Sequence, residues 1–138
     1  MMTCQRQGDL DGNLVLVTGG GSAIAKESAG PNVVGIGRAC CELFAKEGAI
    51  VVCADVNLKG AQDCVETLKE LSDREHMAAQ VDVSCKSSVT ALLQRMRERY
   101  PHHNNGVPDA VVHSAGIAID IWLFDIREYP LILGESTC

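Results

Sequence analysis

The 138-residue sequence is short of aromatic residues, at 4%, and has no apolar run near the length of about 18 residues that a membrane span needs. Internal repeats and low-complexity tracts are also missing, so fibrous and disordered classes are excluded and a single soluble, globular domain is expected. There is no basic excess. The formal net charge is −6, with Lys and Arg scattered among acids, which leaves no face to neutralise a phosphate backbone and argues against nucleic acid as a partner. Seven cysteines (Cys4, Cys40, Cys41, Cys53, Cys64, Cys85 and Cys138) contain no Cys-x-x-Cys pair. Their odd number and apolar settings mark them as small hydrophobes in a reducing compartment, with neither a disulfide framework nor a metal site expected. Met1 to Gly12 has two acids and no apolar centre, so it reads as neither a secretory signal nor a transit peptide.

What is present is an alternation of short apolar runs and amphipathic stretches. Leu14 to Thr18 is a continuous apolar run that ends in Gly19-Gly20-Gly21-Ser22, the pattern of a buried parallel strand feeding a glycine turn. Ile36, Ala39, Cys40, Leu43 and Phe44 fall on one helical stripe, closed by Gly48. Ala49 to Asp55 gives a second strand ending on an acid, and Ala61, Cys64, Val65, Leu68 and Leu71 a second helix. Met77 to Val83 is a third strand, Ser84 to Tyr100 a third helix, and Ala110 to Ser114 a fourth strand after a turn-rich loop. This rhythm predicts an α/β fold: a Rossmann-type parallel sheet with helices on both faces, ending after the fourth strand.

The glycines after the first strand bring bare backbone close to a pyrophosphate, which then rests on the N-terminus of the next helix. Here the loop is interrupted: Ala23 to Val34 separates Gly19-Gly20-Gly21-Ser22 from Gly35-Ile36-Gly37-Arg38-Ala39. Without those residues the chain reads T-G-G-G-S-G-I-G-R-A. In a contiguous reading Ala23 and Ala25 would replace glycines, and Pro31 would break the helix, so Gly35 and Gly37 are taken as the helix start with 23–34 looped out.

The pattern T-G-x-x-x-G-x-G resembles the fingerprint of the short-chain dehydrogenases/reductases, and three further matches follow in order over about residues 12 to 119. Asp55 stands roughly 20 residues past the glycines once the insert is discounted, where an acid would bind the adenosine ribose and favour NAD over NADP. Asp82-Val83 resembles the pair that contacts adenine, and His113-Ser114-Ala115-Gly116 stands where the family usually has N-N-A-G. The expected cofactor site is therefore Gly19, Ser22, Gly35, Ile36, Gly37, Asp55, Asp82, Val83, Ala115 and Gly116, with NAD as cofactor. Plainer roles compete with these: a flexible turn for the glycines, a solvated strand-end acid for Asp55, a helix cap for Asp82 and a packed or hydrogen-bonded imidazole for His113.

The branch it resembles is that of estradiol 17-beta-dehydrogenase 8 and the 3-oxoacyl-(acyl-carrier-protein) reductases, on V-L-V-T-G-G-G-S, C-A-D-V-N and Q-V-D-V-S. That resemblance implies oxidation or reduction of a secondary alcohol/ketone pair on a steroid or acyl thioester, in lipid metabolism, in the mitochondrial matrix or cytoplasm. The family's chemistry uses a Ser and a Tyr-x-x-x-Lys beyond the fourth strand. Tyr100 and Tyr129 have no lysine at that spacing, so no catalytic residue is assigned. Residues 1–120 are read as an NAD-binding half-domain with the 23–34 insert, and 121–138 as a divergent tail. On this reading the chain binds NAD(H) without turnover. The alternative is a noncatalytic isoform that pairs through an exposed sheet with full-length homologous subunits and modulates them; Ile117 to Phe124 could instead cover that edge.

Overall fold

A computed structural model describes residues 8–21 and 34–116. Ser22, most of the insert and everything after Gly116, including the 121–138 tail and the Ile117 to Phe124 cover, lie outside the described residues. The elements are β1 (Leu14–Thr18), α1 (Ile36–Lys46), β2 (Ile50–Asp55), α2 (Leu58–Leu71), β3 (Met77–Gln80), α3 (Lys86–Arg99), a single 3-10 turn (Asn104–Gly106) and β4 (Ala110–His113). The four strands are parallel in the order β3-β2-β1-β4, with Leu14 opposite Ile50, Val15 opposite Ala110 and Val52 opposite Met77. The parallel sheet and its helices bear out the expected fold class.

Side-chain alternation along the strands splits the core into two layers. Val15, Val17, Val51 and Cys53 point to the face covered by α1 and α2, where Cys41, Ala45, Cys64, Val65 and Leu68 meet them. Leu14, Leu16, Val52 and Ala54 point to the opposite face, against Leu92, Met96 and Tyr100 of α3 and its C-terminal end. All five residues of β1 are buried, because helices cover both sides of this central strand.

Two expectations are corrected. The buried seam of α1 is Gly37, Cys41 and Ala45; of the expected stripe, Cys40 and Phe44 pack half-buried against the core, while Ile36 is 77% exposed and Leu43 57% exposed. The helix approaches the sheet so closely that only small side chains fit the contact. The third strand ends at Gln80 and its helix begins at Lys86, not at Val83 and Ser84. Val81 still donates to the Asp55 carbonyl, but the Asp82 carboxylate then accepts from both the N–H and the hydroxyl of Ser84, turning the chain away from the sheet.

Candidate nucleotide-binding site

The C-terminal ends of β1, β2 and β4 converge around the glycine turn, the position at which open parallel sheets hold ligands. Gly19 has φ +79°, a left-handed conformation that any side chain would strain, and an added Cβ there would lie 2.6 Å from the Ala115 nitrogen. Thr18 ties the same two loops together, accepting from the Ala115 N–H at 3.4 Å. Gly37 abuts the turn from the other side: a Cβ on it would come within 2.4 Å of the Gly19 carbonyl oxygen. Gly35 is the N-cap of α1 and offers no side chain to fill the helix end. The first helical hydrogen bond runs from Ala39 N–H to the Gly35 carbonyl, and the first turn carries no acid. The N–H groups of Ile36, Gly37 and Arg38 thus precede the helical ladder beside a bare backbone turn, the arrangement that suits a pyrophosphate.

Asp55 is built in as a member of the turn. Its carboxylate accepts from Gly21 N–H at 3.0 Å and from Asn57 N–H at 2.9 Å, and the residue is only 4% exposed. Gly21 packs so tightly here that a Cβ would fall 2.5 Å from the Ala61 nitrogen. Asn57 in turn caps α2 by accepting from Gly60 N–H. The carboxylate is thus already engaged by the fold's own backbone. Of the expected site residues, then, Gly19, Gly35, Gly37, Asp55 and Ala115 share one region at the strand ends.

Asp82 and Val83 follow β3 at the same end of the sheet and are exposed. The two Ser84 hydrogen bonds, side chain first, hold the Asp82 carboxyl below the usual carboxylate range. The cap reading for Asp82 is modified accordingly: it shapes the turn before α3, whose N-cap is Cys85. His113 is exposed rather than packed, since β4 forms the sheet edge among the described residues. Tyr100 is buried and donates to the Glu75 carbonyl at 2.7 Å; burial foremost pushes its phenol up to about 12.

Two features escaped sequence reasoning. An open depression of about 570 Å³ lies between α2 and α3, near His76 and Met77 at the start of β3, the opposite end of the sheet from the glycine turn. The other is a convergence of Cys41, Cys53 and Cys64, whose sulfur atoms all lie within 4.8 Å of one another. Strand and helix periodicity marks Cys53 and Cys64 as core positions, but the α1 stripe points to Cys40 instead of Cys41, and the meeting of the three depends on how α1, β2 and α2 pack.

A family model described as enoyl-(acyl carrier protein) reductase matches residues 32–128, beginning within the last three residues of the interruption and just before Gly35. The chain belongs to the short-chain dehydrogenase/reductase family. It is 33% identical over 133 residues to human (3R)-3-hydroxyacyl-CoA dehydrogenase, covering 92% of this chain and 45% of that protein. Chlamydia trachomatis serovar D 3-oxoacyl-(acyl-carrier-protein) reductase FabG is 34% identical over 94 residues, 68% of this chain and 36% of that protein. L-Sorbose reductase from Gluconobacter frateurii, solved in complex with NADPH and L-sorbose, superposes with a TM-score of 0.66 at 26% identity, covering 86% of this chain and 38% of that one. The chain thus spans under half the length of these relatives. No described helix is long and apolar enough to cross a membrane.

Proposed function

We propose that this chain binds a nicotinamide dinucleotide, NAD in preference to NADP, as the cofactor-holding half of a short-chain oxidoreductase that acts on a secondary alcohol/ketone pair. The observation that carries this reading is the contact of Gly37 with Gly19. Because neither residue has a side chain, the uncapped start of α1 stands against the turn where a pyrophosphate would be held by Ile36, Gly37 and Arg38 N–H groups. Ala115 and Gly116 would form the far wall, and Asp82 and Val83 would border the adenine. The preference for NAD rests on charge: the Asp55 carboxylate favours ribose hydroxyls and repels a 2′-phosphate. A bound cofactor would supply the hydride, and the residues here bind and orient it.

The names of the relatives, a 3-hydroxyacyl-CoA dehydrogenase and a 3-oxoacyl reductase, support an acyl thioester as the substrate class. The sequence has no Tyr-x-x-x-Lys, so binding without turnover is proposed for these 138 residues. A thermal unfolding curve tests the proposal. Ligand at 100 times its dissociation constant stabilises by about 2.7 kcal/mol, which for a chain of this size raises the midpoint by roughly 10 °C. NADH should produce this shift at lower concentration than NADPH; an unmoved midpoint with both refutes it.

A second reading is favoured by β4, where Ala110, Val111 and His113 are exposed at the edge formed by the described residues. An edge of this kind pairs readily with another chain. On that reading the chain joins full-length homologous subunits as a noncatalytic partner, and co-expression with such a subunit yields a stable mixed complex.

A further inference from the structure

The Cys41, Cys53 and Cys64 cluster lies directly under the glycine turn. Each side chain is fully buried, and each comes from a different rigid element: α1, β2 and α2. The three sulfur atoms lie within 4.8 Å of one another. The roof of the cluster is Gly20, where an added Cβ would sit 2.6 Å from the Cys53 sulfur and 3.0 Å from the Cys41 sulfur. Glycine at this position leaves the sulfur atoms beneath bare backbone instead of a side chain.

We propose that Cys41, Cys53 and Cys64 form a three-sulfur site for one soft, thiophilic d10 metal ion of the Cu(I) and Zn(II) class. Three sulfur ligands at about 2.3 Å from an ion in their plane stand about 4.0 Å apart, a spacing the cluster accommodates with small rotations. An all-sulfur donor set selects soft ions and rejects magnesium and calcium, which need oxygen. Loading is not a redox step: three S–H bonds break, three metal–sulfur bonds form, and three protons pass to solvent. A divalent ion leaves one net negative charge at the site and a monovalent ion two, so buried Coulomb cost favours the divalent members. The competing account is that the three thiols merely fill the core as small hydrophobes.

Cadmium(II) is the probe, titrated into the reduced full chain while the ultraviolet sulfur-to-metal charge-transfer band is followed. One equivalent should saturate the band. A variant with Cys4, Cys40, Cys85 and Cys138 all changed to Ser should keep it, whereas Cys64→Ala should lose it and bind more than about tenfold more weakly. Circular dichroism checks that Cys64→Ala is folded. If it is not, X-ray absorption on the four-serine variant decides, with three sulfur neighbours expected around cadmium. No band at one equivalent, a band that persists in folded Cys64→Ala, or its disappearance from the folded four-serine variant would overturn the proposal.

Discussion

Gly37→Ala tests whether the approach of α1 to the glycine turn makes the site. The new Cβ would lie 2.4 Å from the Gly19 carbonyl oxygen, 2.8 Å from its carbonyl carbon and 3.1 Å from the Gly20 nitrogen. Ordinary contact begins near 3.4 Å, so relief requires about 1 Å of separation between two backbones, and no flexible side chain can absorb it. Overpacking of this kind costs about 1–3 kcal/mol. Alanine returns at most about 1 kcal/mol through its higher helix propensity, and less in a first turn. The net expectation is a loss of about 1–2 kcal/mol in urea-induced unfolding. A shift of about 1 Å at a positioning element can cost on the order of 100-fold in function, so NADH binding should weaken at least about tenfold. Gly12→Ala is the control: Gly12 has φ +80° but nothing within 4 Å of an added Cβ, so stability should fall through backbone strain while NADH affinity is kept. A Gly37→Ala chain as stable as the parent that binds NADH equally well would refute this reasoning.

Asp55→Ala deprives the Gly21 and Asn57 N–H groups of a buried acceptor and should cost about 1–3 kcal/mol in denaturant titration. Asp55→Asn should cost less and narrow the difference between NADH and NADPH affinities. His76 is buried, its Nδ1 accepts from Val51 N–H at 3.1 Å, and burial holds its pKa below the ordinary value of 6.5. The unfolded chain therefore takes up the proton more readily. His76 should contribute stability above about pH 6.5 that is progressively lost as pH falls toward its depressed folded value, and His76→Phe should flatten that part of the urea midpoint profile. The Asp109 carboxyl lies below its usual range because it accepts from Leu14 N–H and then from His103. Its contribution is present above the usual carboxylate value and lost in more acidic solution, and Asp109→Asn should weaken this acid-side loss in thermal melts. Tyr100→Phe removes the bond to the Glu75 carbonyl and should cost about 1 kcal/mol, read from the same melts.

The order of elements was legible because the strands are unbroken apolar runs and α2 keeps most of its stripe: Ala61, Cys64, Val65 and Leu68 are buried, and only Leu71 at the helix end is exposed. The phase of α1 was not. Hydrophobicity singles out Ile36 and Leu43, but the contact selects for size, and Gly37, Cys41 and Ala45 are the residues small enough to reach it. The end of β3 depended on a local competition, in which the Asp82 side chain bonds Ser84 and draws the chain out of the ladder. The meeting of Cys41, Cys53 and Cys64 could not be read from spacing, since metal motifs place their ligands close in sequence and these lie on three successive elements.

Asp55 shows why a motif match and a formed site are different statements. The sequence places an acid at the end of the second strand, as a ribose site requires. The fold already engages that acid in its own backbone. The carboxylate accepts the Gly21 N–H at the point where the glycine turn is cut off from Gly35, and it holds Asn57 in place to cap α2. In an uninterrupted fingerprint, the chain after the turn would enter the helix directly and the helix itself would fix the turn. Here Gly21 is fixed by Asp55 and by its contacts with Gly60 and Ala61. A ribose hydroxyl approaching Asp55 would therefore meet a carboxylate that the fold already engages. On the proposed reading, a match to the glycine pattern does not by itself form the ribose end of the site.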